Sequence, residues 1–216
     1  MRKVYLLGGE RIRKRDGERV NRQAFNAAGG SPEVLVFSWA RANFDQIYQR
    51  QELVYNYLRY LGANSVTVVD YSTTQQEIRE KFSQADLIYI TGGSPSILIE
   101  RFKHMHVDDL LKTFNGVIVG RSAGALALCT KCIVTIRATK QTKIIDGLGI
   151  VNLTMSAHYT RKKDAQLKEL SRNNQIFAVP KGSALIFTEP NILSRINEVI
   201  LFKNGKRDAM LQLLRC

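Results

Sequence analysis

Gly120-Arg121-Ser122-Ala123-Gly124 sets a serine between two glycines at the spacing of a nucleophile elbow, the sharp strand-to-helix turn that lifts a hydroxyl out of a sheet edge. The flanks suit that geometry: Val117-Ile118-Val119 is a buried-strand run, and Ala125-Leu126-Ala127-Leu128 is a helix former. A serine held in a strained turn needs neighbours without bulky side chains two residues either way, and Gly120 and Gly124 supply that room. The start of the following helix would aim the Ala123 N–H at an oxyanion forming beside Ser122. The chemistry this suits is acyl transfer. The bland alternative is a small-residue turn that serves packing alone.

A serine nucleophile needs a base, and the chain has three histidines. His104 and His106 sit on a polar connection between helical stretches and read as a solvated pair, with no further ligands at a metal-binding spacing. His158 follows the apolar run Val151–Met155 and opens a loop before a helix, where an α/β sheet presents catalytic groups, so it is the preferred base. Cys129 and Cys132 form a lone C-x-x-C. Without a second pair it reads as two half-buried cysteines at a helix end rather than as a zinc site. No metal and no cofactor are expected.

The elements that must position these residues alternate along the chain. Arg2–Leu7 reads as a first buried parallel strand running into Gly8-Gly9, followed by a charged loop, Glu10–Glu18. Arg22–Ala28 reads as a short helix stopped by Gly29-Gly30, and Pro32 precedes a second strand, Val34–Ser38. Phe44–Leu61 carries apolar residues at helical spacing and is closed by Gly62, with a third strand at Val66–Val69. Thr73 or Thr74 can cap a helix through Phe82, Asp86–Thr91 is a fourth strand, and Ser94-Pro95 starts the next helix. Helical residues near Val107–Thr113 then lead into the elbow strand. Five strands alternating with helices predict an α/β fold, a doubly wound and mostly parallel sheet with helices on both faces. Gly8-Gly9, Gly92-Gly93 and the elbow all fall at C-terminal strand ends, where ligands gather.

Beyond the elbow the pattern changes. Ile133–Arg137 and Gly149–Leu153 read as extended, Lys162–Ser171 as helical, and Ile176–Val179, Leu185–Phe187 and Val199–Phe202 again as extended. Asn204-Gly205, between Val199–Phe202 and Lys206–Leu211, is a type I′ hairpin signal and predicts a small antiparallel C-terminal edge.

A length of 216 residues suits one domain spanning 1–216, and 44% hydrophobic residues is ordinary for a globular chain. No apolar run approaches the roughly 20 residues of a membrane span, and three cysteines are too few for a disulfide framework, so a cytoplasmic protein without a membrane partner is expected. The net charge of +13 favours anionic partners. Because Lys and Arg are spread along the chain and no nucleic-acid module appears, an acidic small substrate explains the charge at least as well as nucleic acid.

Gly92-Gly93, Gly120-x-Ser122-Ala123-Gly124-Ala125, His158-Tyr159 and the basic run Arg161–Lys163 together resemble the serine peptidases related to dipeptidase E and cyanophycinase, within the class I glutamine-amidotransferase-like fold. The resemblance runs from Val4–Gly9 through the Asp86–Gly93 strand to Pro180–Ala184. It implies Ser122 as nucleophile, His158 as general base, and the Gly93 and Ala123 N–H groups as oxyanion hole. It also implies a small peptide substrate, acidic if a basic residue such as Arg161, or Arg121 beside the nucleophile, meets a carboxylate. A homodimer is left open. Two departures stand out: the acid expected near Gln141 or at Lys181, where the family often reads Glu-Gly, is missing. Asp146 and Glu189 are the remaining candidates for a third triad member, although spacing places neither beside His158 and each reads first as an ordinary surface carboxylate. The competing reading is a catalytically weakened homologue that binds an anionic ligand in the same crevice. Amidotransferase chemistry would need a cysteine at the elbow, and Ser122 stands there.

Overall fold

The computed structural model describes residues 1–41, 48–69, 71–135, 141–188, 192–209 and 213–215. An eight-stranded sheet has at its centre the parallel strands β1 (Lys3–Leu7), β2 (Glu33–Phe37), β3 (Ser65–Val69), β4 (Leu87–Ile90) and β5 (Val117–Arg121), in the spatial order β1-β5-β4-β2-β3. Beyond β1, antiparallel strands β10 (Ala184–Thr188), β11 (Ile192–Ile196) and β14 (Leu213–Arg215) extend the sheet. The doubly wound sheet expected from the sequence is therefore present, with an antiparallel wing at the β1 edge.

Alternation along each central strand divides its side chains between two cores. Tyr5 and Leu7 face Val20, Phe25 and Leu58 of helices α1 (Glu18–Ala27) and α2 (Tyr48–Leu61). Val4 and Leu6 face the opposite way, toward the core that takes Ile78 and Phe82 of α3 (Gln75–Gln84), Phe102 of α4 (Pro95–His104), Leu111 of α5 (Val107–Thr113) and Ala125 of α6 (Ala123–Leu128). Local signals explain several boundaries. Thr74 and Glu77 form a reciprocal capping box at the start of α3, whereas Ser94 caps α4 without a side-chain hydrogen bond, Pro95 supplying the helical φ at the first position.

A second, six-stranded sheet was not anticipated. It contains β6 (Cys129–Thr135), β7 (Thr142–Asp146), β8 (Val151–Ala157), β9 (Ile176–Val179), β12 (Ile200–Lys203) and β13 (Lys206–Ala209), in the order β13-β12-β9-β8-β6-β7. The expected Asn204-Gly205 hairpin joins β12 to β13, both residues at positive φ (53° and 72°), as a type I′ turn requires. Cys129 and Cys132 lie fully buried on β6, not half-buried at a helix end, because α6 stops after one and a half turns and the chain passes directly into the strand. Met155 and Phe177 of this sheet join the same hydrophobic cluster as Val4 and Leu6, so the two sheets share a core through α6. Residues 44–47 of the expected second helix, 136–137 of an expected strand, Glu189, Leu211 and Cys216 lie outside the described residues. Among the described residues no helix is long and apolar enough to cross a membrane.

Gly120 tests how tightly α6 is seated on β5. A methyl group there would lie 2.7 Å from the Cα and N of Ala125. Overpacking of this kind costs about 1–3 kcal/mol, and each kcal/mol lowers the melting midpoint of a chain this size by about 2–4 °C. Gly120→Ala is expected to melt several degrees below the parent by circular dichroism; an unchanged midpoint would mean that α6 moves off the strand freely.

Candidate active site

Ser122 follows β5 at φ 54°, ψ −105°, a conformation that a side-chain-bearing residue keeps only when its surroundings enforce it. The enforcement is visible. Its N–H donates to the Leu7 carbonyl at 2.9 Å, and its carbonyl accepts the Leu126 N–H at 2.9 Å. The glycines either side permit close packing of strand on helix: a methyl at Gly124 would stand 2.4 Å from the Ile90 carbonyl oxygen, as one at Gly120 would meet Ala125. Ala123 opens α6, so its N–H has no intrahelical acceptor. Gly92 and Gly93, in the turn after β4, line the same crevice as Ser122.

His158 follows β8, in the other sheet, also at positive φ (51°). Its N–H donates to the Gly8 carbonyl at 2.9 Å, and its Nε2 stands 2.6 Å from Ser122 Oγ. The ring lies against Gly9, where a methyl would come within 2.2 Å of Cε1 and 2.5 Å of Nδ1. Gly9 has φ 134°, so both its conformation and its contact exclude a side chain.

Burial, then the charges of Lys181, Lys163 and Arg121, push the imidazole pKa down to about 4 from 6.5. The ring is therefore a neutral acceptor at neutral pH. Lys163 is held close by its Nζ, which donates to the Ala157 carbonyl at 2.8 Å. No carboxylate among the described residues pairs with His158. Asp146 lies on β7 opposite Lys131, where its charge bears on Cys132, and Gln141 directly precedes β7, the outermost strand of that sheet.

Glu10 is a site residue the sequence did not disclose. It opens the run read as a charged loop, yet its side chain is 0% exposed. Tyr89 donates to Glu10 Oε1 at 2.5 Å, Asn21 Nδ2 to Oε2 at 2.9 Å, and Arg121 Nη1 approaches Oε1 at 3.7 Å. Burial raises the carboxyl pKa, and Arg121, Tyr89 and Asn21 partly offset that. Arg121 thus stands beside the buried carboxylate and lines, with Glu10, Ser122 and His158, a cavity of about 580 Å³.

A model of peptidase family S51 matches residues 6–194. The chain belongs to that family. Family S51 contains the dipeptidase E and cyanophycinase relatives that the motifs resemble, and membership makes the chain a peptidase. Among solved structures, a peptidase from an acI-B1 Actinobacterium superposes with TM-score 0.73 at 17% identity, over 99% of this chain and 96% of that one. A candidate peptidase E protein from Listeria monocytogenes EGD-e superposes with TM-score 0.67 at 20% identity, over 94% and 98%. No curated protein matches the sequence.

Of the residues singled out from this S51 sequence, Ser122, His158, Gly93 and Arg121 line one crevice. Arg161 does not line it; it opens an exposed 3₁₀ turn, Arg161–Lys163, ahead of α7 (Asp164–Leu170). His104 and His106 lie away from the site, His104 Nδ1 against the Tyr71 hydroxyl at 3.0 Å and His106 3.6 Å from Asp109. The geometry can move a proton from a serine hydroxyl to a neutral imidazole. In an NMR pH series His158 is expected to titrate near pH 4. Lys181→Glu, which exchanges a neighbouring cation for an anion, should move the midpoint upward. A parent midpoint at or above 6.5 would reveal an anionic partner on the ring.

Proposed function

We propose that this S51 member is a serine peptidase that cleaves small acidic peptides through an acyl-enzyme on Ser122. The observation that supports this reading most directly is the 2.6 Å approach of His158 Nε2 to the hydroxyl of a serine at a strained elbow. Ser122 Oγ bonds to the scissile carbonyl carbon while its proton passes to His158. The imidazolium gives that proton to the leaving amine as the C–N bond breaks. Water then attacks the ester, its proton moving to His158 and on to Ser122 Oγ as the C–O bond breaks and the acid leaves. The N–H groups of Gly93 and Ala123 are the proposed oxyanion donors.

Arg121 rather than Arg161 is the proposed contact for a substrate carboxylate, because Arg121 lines the crevice and Arg161 does not. This carries an electrostatic consequence. Arg121 is one of the cations that disfavour the imidazolium. A carboxylate paired with it offsets that charge and adds a negative one nearby, so an acidic substrate supplies part of what a triad acid supplies elsewhere. The second reading, a weakened homologue that binds an anion without turnover, draws on the same missing carboxylate.

A fluorophosphonate probe with mass-spectrometric mapping separates the two. The peptidase reading expects an adduct on Ser122 that is absent from Ser122→Ala and slowed at least on the order of 10²-fold in His158→Ala. A folded protein with no adduct favours the binding reading. In steady-state kinetics the acid limb of kcat/KM should fall near pH 4, following free His158, and the limb of kcat for an acidic peptide should lie above that for its neutral amide. Coincident limbs would remove the substrate carboxylate from the chemistry.

A further inference from the structure

The loop after β1 is a fastened element. Ile12 is buried in the core beneath α2, so Arg11 and Arg13 flank an anchor. Asp16 accepts from both the N–H and the Nε of Arg11, at 2.6 and 2.8 Å. Arg15 stacks on the Tyr60 ring of α2, its guanidinium carbon 3.9 Å from the ring centroid. Arg41 belongs to another wall of the crevice, next to Ala40, whose carbonyl accepts the Ser94 N–H at 2.6 Å and whose backbone abuts Gly93. Arg11, Arg13 and Arg41 all line the cavity that contains Ser122, His158 and Arg121.

The charge balance of this cavity is lopsided. Glu10 is the one carboxylate among its described lining residues, and it is tied down by Tyr89 and Asn21 beside Arg121. Asp16 offsets Arg11. Arg13 has no ion-pair partner among the described residues and is exposed to solvent at the cavity edge. One substrate carboxylate at Arg121 therefore leaves Arg13 without a counter-charge, and a guanidinium is the side chain best shaped to take a carboxylate through paired hydrogen bonds. A volume of about 580 Å³ lies well inside the range of small-ligand sites, with space beyond the nucleophile for more than the residue being acylated.

We propose that the crevice holds a second anion subsite, centred on Arg13 and flanked by Arg11 and Arg41, so that the peptides it takes carry two or more separated carboxylates. As a substrate subsite it rests on the peptidase reading of Ser122 and His158. As a binding site it does not.

The test uses the full chain as Ser122→Ala, titrated calorimetrically with C-terminally amidated tripeptides of Glu and Gln bearing zero, one or two Glu. The two-Glu peptide is expected to bind about tenfold or more tighter than the best one-Glu peptide, the equivalent of one additional charge-assisted contact. Adding Arg13→Gln should erase that advantage while leaving the affinity for the one-Glu peptide within about twofold, and Arg41→Gln should reduce it in part. Both side chains are exposed, and thermal melts verify folding. Equal affinity for one-Glu and two-Glu peptides in the Ser122→Ala protein overturns the subsite, as does an Arg13→Gln loss of the same size for both. Fluorophosphonate labelling of the parent distinguishes the failures. A labelled Ser122 with no second-carboxylate advantage leaves the peptidase reading without the subsite; an unlabelled Ser122 with an Arg13-dependent advantage leaves the subsite without the peptidase.

Discussion

The segment Leu7-Gly8-Gly9, where β1 ends, is the constraint on which the rest of the site depends. The Leu7 carbonyl accepts the N–H of Ser122, and the Gly8 carbonyl accepts the N–H of His158. Gly8 donates to the Ser183 carbonyl, and the Gly9 carbonyl accepts from Gly182. Ser122 and His158 arrive from different sheets, and consecutive carbonyls of one strand end hold both. Consecutive Cα atoms are only about 3.8 Å apart, so suspending two residues from adjacent peptides brings their side chains together by main-chain geometry. The positive φ at each of Ser122 and His158 then turns the side chains toward one another, at a strain on the order of 1–3 kcal/mol per residue that these hydrogen bonds and the buried strands over-determine.

That arrangement separates two tasks usually given to a triad acid. One is to fix the orientation of the imidazole; the other is to stabilise its cation. Here orientation comes from the backbone hydrogen bond to Gly8 and from the close contact with Gly9, whose missing Cβ makes room for the ring. Nothing among the described residues performs the second task, and Lys181 and Lys163 work against it. On the proposed peptidase reading, an imidazole held in place but kept weakly basic gains proton affinity when negative charge enters with the substrate.

The central sheet and the Ser122 elbow were legible because their signals are local: apolar runs ending in glycine, helices with identifiable caps, and a serine whose flanking glycines have a steric reason. The Thr74 cap, the Asn204-Gly205 turn and the placement of His158 after an apolar run belong to the same class. The second sheet was not legible as a sheet, although most of its strands were. Its order, β13-β12-β9-β8-β6-β7, pairs segments from across the C-terminal half of the chain, and no local pattern encodes which strand meets which. Glu10 was missed for a related reason. Its neighbours in sequence, Arg11, Arg13, Lys14 and Arg15, announce a solvated loop, whereas its neighbours in space are Asn21, Tyr57 and Tyr89, separated from it by 11, 47 and 79 positions. Only the folded chain brings those hydroxyls and that amide around the carboxylate, and a buried charge survives only where such donors converge.

The same distinction governs the charge. A net +13 by itself points to anions of any size, and nucleic acid is the first thought it provokes. Distribution says more than the total. Arg11, Arg13, Arg41 and Arg121 line the crevice, and Lys163 and Lys181 act on the histidine within it, although their positions in the sequence run from 11 to 181. Cations drawn from so many elements into one concavity focus their field on a small volume, which raises the local concentration of a small anion and accelerates its arrival. A duplex, by contrast, needs its positive charge laid out along a face that follows two backbones. Six cations from distant parts of the sequence thus act on one crevice, an arrangement that the net charge by itself does not disclose.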